Sequence, residues 1–122
     1  MLWVLKLPES LRIAAYYAGE EAAWPAEEAL SVLECLKELG AAACGVEVWL
    51  ATTPGPTIPT PYVYTWEAEH QESREPWGDF VRRVNSAATD YIRGFCWDPN
   101  DEGKQGLEPY FNLDVVCGES RG

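Results

Sequence analysis

Two stretches of the chain repeat their apolar residues at helical spacing, and others alternate them at strand spacing. Ala29, Val32, Leu33, Leu36 and Leu39 recur every three or four residues and make one apolar face, with Ser31, Glu34, Lys37 and Glu38 turned outward. Pro25 suits a first helical position, where its missing N–H costs nothing, and Glu27 and Glu28 suit the positive end of the helix dipole. Gly40 suits the turn that follows. The pattern predicts a helix over 25–39. A second helix, over 76–93, is carried by Trp77, Phe80, Val81, Val84, Ala88, Tyr91 and Ile92, with Asp79 set against Arg82 and Arg83 and Asp90 against Arg93 on its polar side. Val32, Leu36, Phe80, Val84 and Ile92 are the predicted core. A third helix is read over 10–18, from Leu11, Ala14, Ala15 and Ala18 between Pro8 and Gly19. Residues 2–7 read either as a short strand or as an irregular apolar start.

Strand spacing begins at 43–51, where Val46, Val48 and Leu50 alternate with Glu47 and Trp49. Over 62–67, Tyr62, Tyr64 and Trp66 share one face while Val63 and Thr65 share the other. Residues 52–61 hold four prolines and Gly55, so they form a loop, and the two strands pair antiparallel across it. A last strand fits 110–116, with Phe111, Leu113 and Val115 opposite Tyr110, Asn112 and Asp114, and a short one fits 95–97. Residues 68–75 and 98–106 are loops. The expected fold is α+β: a single domain in which a small antiparallel sheet packs against two to three helices. A chain of 122 residues is long enough for one real core.

Which sheet face meets the helices is open at this level. If Val46, Val48 and Leu50 face inward, Glu47 and Trp49 face out. Tyr62, Tyr64 and Trp66 then make an aromatic outer face edged by Glu67, Glu69, Glu72 and Glu75. In the alternative, the three large aromatics are the core, because they bury the most area.

Charge narrows the function classes. Twenty Asp and Glu against nine Lys and Arg give a formal charge of −11. Such a surface repels nucleic acid and anionic membrane, and attracts basic partners over a Debye length of ~8–10 Å. No apolar run reaches the ~18–20 residues of a membrane span, and the first residues lack the order of a secretory signal, so the expected compartment is the cytoplasm. The four cysteines, at 35, 44, 96 and 117, form no Cys-x-x-Cys pair, so zinc and redox spacings are missing. Reduced, they behave as small hydrophobes; in an oxidising compartment three pairings are open.

Candidate chemistry is thin. His70 stands alone between Glu69 and Glu72 in a loop, and no nucleophile motif accompanies it. Asp98-Pro99-Asn100-Asp101-Glu102-Gly103 matches the opening of a calcium loop, but its twelfth position is Pro109 and Glu108 falls one residue early. It reads as a structured turn. We therefore expect no catalytic residue, metal or cofactor, and place the functional surface on acidic and aromatic residues: Glu47, Trp49, Glu67, Glu69, Glu72, Trp97, Asp98 and Asp101. Aromatic anchors carry binding energy, and peripheral carboxylates steer encounter. The alternatives are a small carboxylate-dependent enzyme and an aromatic-lined ligand-binding module.

The ordered set of features resembles a known family. Trp24-Pro25-Ala26-Glu27 opens a helix ending at Leu39-Gly40. It is followed by Gly45-Val46-Glu47-Val48-Trp49, Tyr62-Val63-Tyr64-Thr65-Trp66, Trp77 with Phe80-Val81, Tyr91-Ile92, Trp97-Asp98-Pro99 and Tyr110-Phe111. This looks like the small immunity proteins of bacterial polymorphic toxin systems, over residues 24–116. The resemblance implies a cytoplasmic, non-catalytic inhibitor of a secreted toxin's effector domain. An acidic inhibitor fits a basic toxin, nucleases among them. The site residues above come from the residues themselves and not from the resemblance.

Overall fold

The computed structural model describes residues 2–50, 58–59 and 64–118. A 3₁₀ turn at Leu2–Lys6 leads into helix α1, Glu9–Ala14. A hairpin follows, of strands β1, Tyr16–Ala18, and β2, Glu21–Pro25. Helix α2, Ala26–Leu39, runs to strand β3, Ala41–Leu50. Two short strands, β4 at Ile58–Pro59 and β5 at Thr65–Glu67, precede helix α3, Trp77–Gly94. A 3₁₀ turn at Glu102–Lys104 and strand β6, Pro109–Cys117, complete the described chain.

The two long helices form as their periodicity predicts. Pro25 ends β2 and caps α2, one position ahead of the expected one. Gly40 takes the left-handed conformation at φ 69°, and its N–H reaches the carbonyls of Leu36 and Lys37, which closes the last turn. Val32, Leu36, Phe80, Val84 and Ile92 are all buried.

The expected helix over 10–18 is overturned in its second half. After Ala14 the chain becomes a hairpin, with Tyr16 opposite Ala23 and Ala18 opposite Glu21 across a two-residue turn. Gly19 opens that turn at φ 62°, as a turn with glycine first requires. The strand state wins because β2 pairs onward with β6, setting Trp24 beside Phe111. Trp24 is fully buried, and its indole N–H donates to the Leu11 carbonyl at 2.7 Å. No local periodicity carries that long-range gain.

The sheet is antiparallel, in the order β1-β2-β6-β3-β4, with β5 also on β3. β3 and β6 pair along nearly their whole length, interrupted by a bulge between Ala43 and Gly45. Val46, Val48, Leu113, Phe111 and Trp24 share the face that meets α2 and the main core. The other edge of β3 is held in three ways. β4 pairs at Trp49 and Leu50, and β5 at Gly45, Val46 and Glu47. Along residues 41–43 the partner is a side chain: Asn85 of α3 accepts from the Ala43 N–H at 2.7 Å and donates to the Ala41 carbonyl at 3.0 Å. This carboxamide stands in for a strand peptide and fixes α3 along the sheet edge. A smaller cluster, with Ala42, Phe80, Val81 and Val84, forms where α3 wraps that edge.

The register decides the open question of faces. Trp66 lies opposite Val46 and Thr65 opposite Glu47, so the aromatics of β5 face the helices. Trp66 stacks on Tyr91 at 6.2 Å, and Tyr64 meets Trp97 edge-on at 5.1 Å. The expectation of an aromatic outer face is corrected for Tyr64 and Trp66; Tyr62 lies outside the described residues, as does most of the proline-rich connection. The expected strand at 95–97 does not form. There Phe95 and Trp97 instead enter the aromatic cluster.

Candidate functional site

The outer sheet face carries Glu47, Thr65, Glu67, Asn112 and Asp114, because each alternates with an inward apolar neighbour. At the end of this face nearest α3, a cleft of about 510 Å³ opens between the sheet and the 68–76 loop. Its apolar lining is Val116, Trp77 and Phe80, and carboxylates of Glu67, Glu69 and Asp114 ring it. Trp77 is fixed by donating to the Gly40 carbonyl at 2.8 Å, and it lies so close over Gly118 that no side chain fits there. Glu69, His70 and Glu72 line a neighbouring hollow against Arg83.

The loop is shaped by one ion pair. Arg83 grips both carboxylate oxygens of Glu75 at 2.9 Å and donates to the His70 carbonyl at 3.2 Å. The Arg83 guanidinium holds the Glu75 carboxyl below its usual range. Arg83 therefore answers Glu75, and among the described residues no Lys or Arg pairs with Glu47, Glu67, Glu69, Glu72 or Asp114. The expected Asp79–Arg82 pair is present, while Arg83 turns to Glu75 instead of Asp79.

The predicted site residues divide. Glu67 at the end of β5, Glu69 on the cleft loop and Glu72 at the neighbouring hollow are exposed, and half-buried Glu47 shares the outer face with Glu67. Trp49 also points to that face, but it is 1% exposed and its indole N–H donates to Glu47 at 2.8 Å. It is a buried brace and not a surface anchor. Trp97 is likewise buried, donating to the Leu107 carbonyl at 2.8 Å. Asp98 and Asp101 belong to a different surface, because the loop that carries them is tied to the helix side of the sheet through Tyr64. The Tyr64 hydroxyl donates to Asp101 at 3.0 Å and accepts from the Asp98 N–H at 3.3 Å.

The calcium-like segment uses its carboxylates internally. Asp101 is paired with Lys104 at 3.0 Å as well as with Tyr64, and these partners hold its carboxyl below the usual range. Asp98 accepts from the Asn100 N–H at 2.8 Å. The carboxyls of Glu75 and Asp101 are both held below the ordinary range, whereas a general acid at neutral pH needs an upward shift. Cys44, which also lines the cleft, has its thiol pushed up by burial and then by Asp114. A nucleophilic cysteine needs the opposite. Among the described residues no group of three His, Cys, Asp or Glu side chains could hold a metal ion, and no helix is long and apolar enough to cross a membrane.

Sequence reasoning did not find Asp114, Val116 or Trp77 as parts of one site, because the bulge and the path of α3 bring them together. The available signal was the outward alternation of Asn112 and Asp114. Comparisons of the chain with protein-family models, with curated proteins and with solved structures find no match.

Proposed function

We propose that the chain is a non-catalytic acidic binding protein that neutralises a cognate bacterial toxin effector domain by occluding it in the cytoplasm. The observation that carries this reading is the cleft, with Val116, Trp77 and Phe80 within and Glu67, Glu69 and Asp114 around them. A Lys or Arg side chain fits such a place twice over. Its aliphatic stem lies on apolar surface, and its head meets carboxylates with which no Lys or Arg forms a close ion pair among the described residues. The family resemblance supports the same reading, and a basic effector domain, nucleases among them, is the partner that the charge favours.

The test is a binding series against the toxin domain encoded beside this chain, at low and high salt. Reversing Glu67, Glu69 and Glu72 together to Lys should slow association about tenfold or more at low salt and flatten its salt dependence. Val116→Ser should act mainly on dissociation, since it removes apolar contact without changing charge. An association rate unmoved by the triple reversal rules out steering through this loop. Absence of binding by the wild-type chain overturns the function itself.

A further inference from the structure

One edge of the sheet is built unlike the other. Along β3 the edge is held by Asn85, β5 and β4. The opposite edge is β1, whose only strand partner among the described residues is β2. Ala18 faces Glu21 across a two-residue turn, and Tyr16 faces Ala23 two residues on. In such a hairpin these pairs exchange the hydrogen bonds, so Tyr17 turns its N–H and C=O away from β2. Proteins blunt such edges by shortness, lysine, proline or an inward charge, and of these β1 has only its three-residue length. β1 reads Tyr-Tyr-Ala.

Apolar surface gathers beside it. Of the five exposed large hydrophobic residues among those described, three fall in the first seventeen positions: Leu5 at 67%, Ile13 at 74% and Tyr17 at 48%. Arg12 ties this corner together. Its Nε donates to the Leu7 carbonyl at 3.1 Å, and its own carbonyl accepts from the Tyr17 hydroxyl at 2.8 Å. The charge here also differs from the rest of the chain. The first eighteen residues hold Lys6 and Arg12 against Glu9, whereas the whole chain stands at −11.

We infer that β1 is a self-association edge, pairing with β1 of a second copy about a two-fold axis through Tyr17. That axis makes Tyr17 of each copy donate to and accept from the other, which is the pairing its outward backbone groups require. Antiparallel placement also sets the end of α1 in one copy beside the Gly19-Glu20 turn of the other. Arg12 then meets the exposed carboxylates of Glu20 and Glu21, once on each side of the axis. With Lys6 and Arg12 beside Glu9, Glu20 and Glu21, this corner carries both signs, and that self-complementarity selects a second copy over the basic partner that the acidic cleft suits. Two strands separate β1 from β3, so the dimer leaves that cleft open and stands independently of the toxin reading. The short strand puts the contact at the small end of specific interfaces, with a dissociation constant on the order of 10–100 µM.

Sedimentation equilibrium of the full chain from about 10 µM to about 1 mM tests this across the expected constant. The average mass should rise from 13.6 kDa toward twice that value. Two variants should raise the dissociation constant at least tenfold while leaving circular dichroism unchanged. Ile13→Glu places a negative charge beside Glu20 and Glu21 of the second copy. Tyr17→Pro removes an N–H that the hairpin does not use, at an edge position where proline is tolerated, and lowers melting only by the lost hydroxyl bond to the Arg12 carbonyl. Should Tyr17→Pro fail to fold, Ile13→Glu alone decides. Amide exchange at Tyr17 should slow with rising concentration. A chain that stays monomeric near 1 mM, a dimer that survives every folded variant, or protection that rises elsewhere with Tyr17 unprotected overturns the inference.

Discussion

At Asn85 one carboxamide, 2% exposed, completes two backbone hydrogen bonds of β3. Asn85→Ala leaves the Ala43 N–H and Ala41 carbonyl buried without partners, at ~1–3 kcal/mol for each. Unfolding in denaturant should show a loss of about 2–4 kcal/mol, and a change below about 0.5 would mean that water or a shifted strand replaces the amide. Trp49 belongs to the same scale. Since it is buried and braces Glu47, Trp49→Ala should cost about 3–5 kcal/mol of stability, read by denaturant unfolding, and should alter partner binding only through folding. Asn85 was legible only as a polar residue on the apolar stripe of α3, four residues after Val81 and three before Ala88. The stripe gave no sign of what the amide would meet.

The 98–104 loop is the element whose order depends most directly on ionisation. Its Asp101 carboxyl is held low first by Lys104 and then by Tyr64. A carboxyl lowered on folding stabilises fully above its unfolded value of about 3.9 and loses that contribution as pH falls through the lower folded value. The loop should therefore be unchanged between about pH 7 and pH 5 and loosen below about pH 4. The Asp101 carboxyl and the Trp97 indole N–H report this directly in an NMR titration. Lys104→Ala should move the Asp101 midpoint upward, and an unmoved midpoint would remove Lys104 as the cause. At this scale the sequence named the element as a turn and its two aspartates as exposed. Asp98 is exposed, but Asp101 is partly covered, because Tyr64 of a distant strand reaches it.

Across the whole molecule the formal charge of −11 opposes compaction, and four ion pairs join the described residues. Three of the four are well exposed on at least one side, so screening them costs little. Raising sodium chloride from about 0.05 M to about 0.5 M should thus raise the melting temperature by a few degrees, as self-repulsion is screened. A fall would mean that attractive pairs outweigh repulsion. The same imbalance organises the surface. Carboxylates collect at the cleft end of the sheet, while β1 and α1 at the opposite edge hold a mixed, apolar corner.

The sequence by itself determined the α+β class, both long helices, the pairing of β3 with β5, the two alternating faces of β6 and the acidic loop at 68–75. Each rests on periodicity or on punctuation by Gly and Pro within about twenty residues, so local spacing suffices. Tertiary structure alone decided the β1–β2 hairpin, whose strand state depends on β6 nearly ninety positions away, as the Asn112 amide bonded to the Ala22 carbonyl at 2.8 Å shows. It alone decided the facing of β5, because alternation gives two faces and only register against Val46 says which one is covered. And it alone moved Trp49 and Trp97 from surface to interior and drew Val116, Asp114 and Trp77 into one cleft. A bulge and a helix laid along a strand edge are set by contacts between distant residues, and local spacing carries no trace of them.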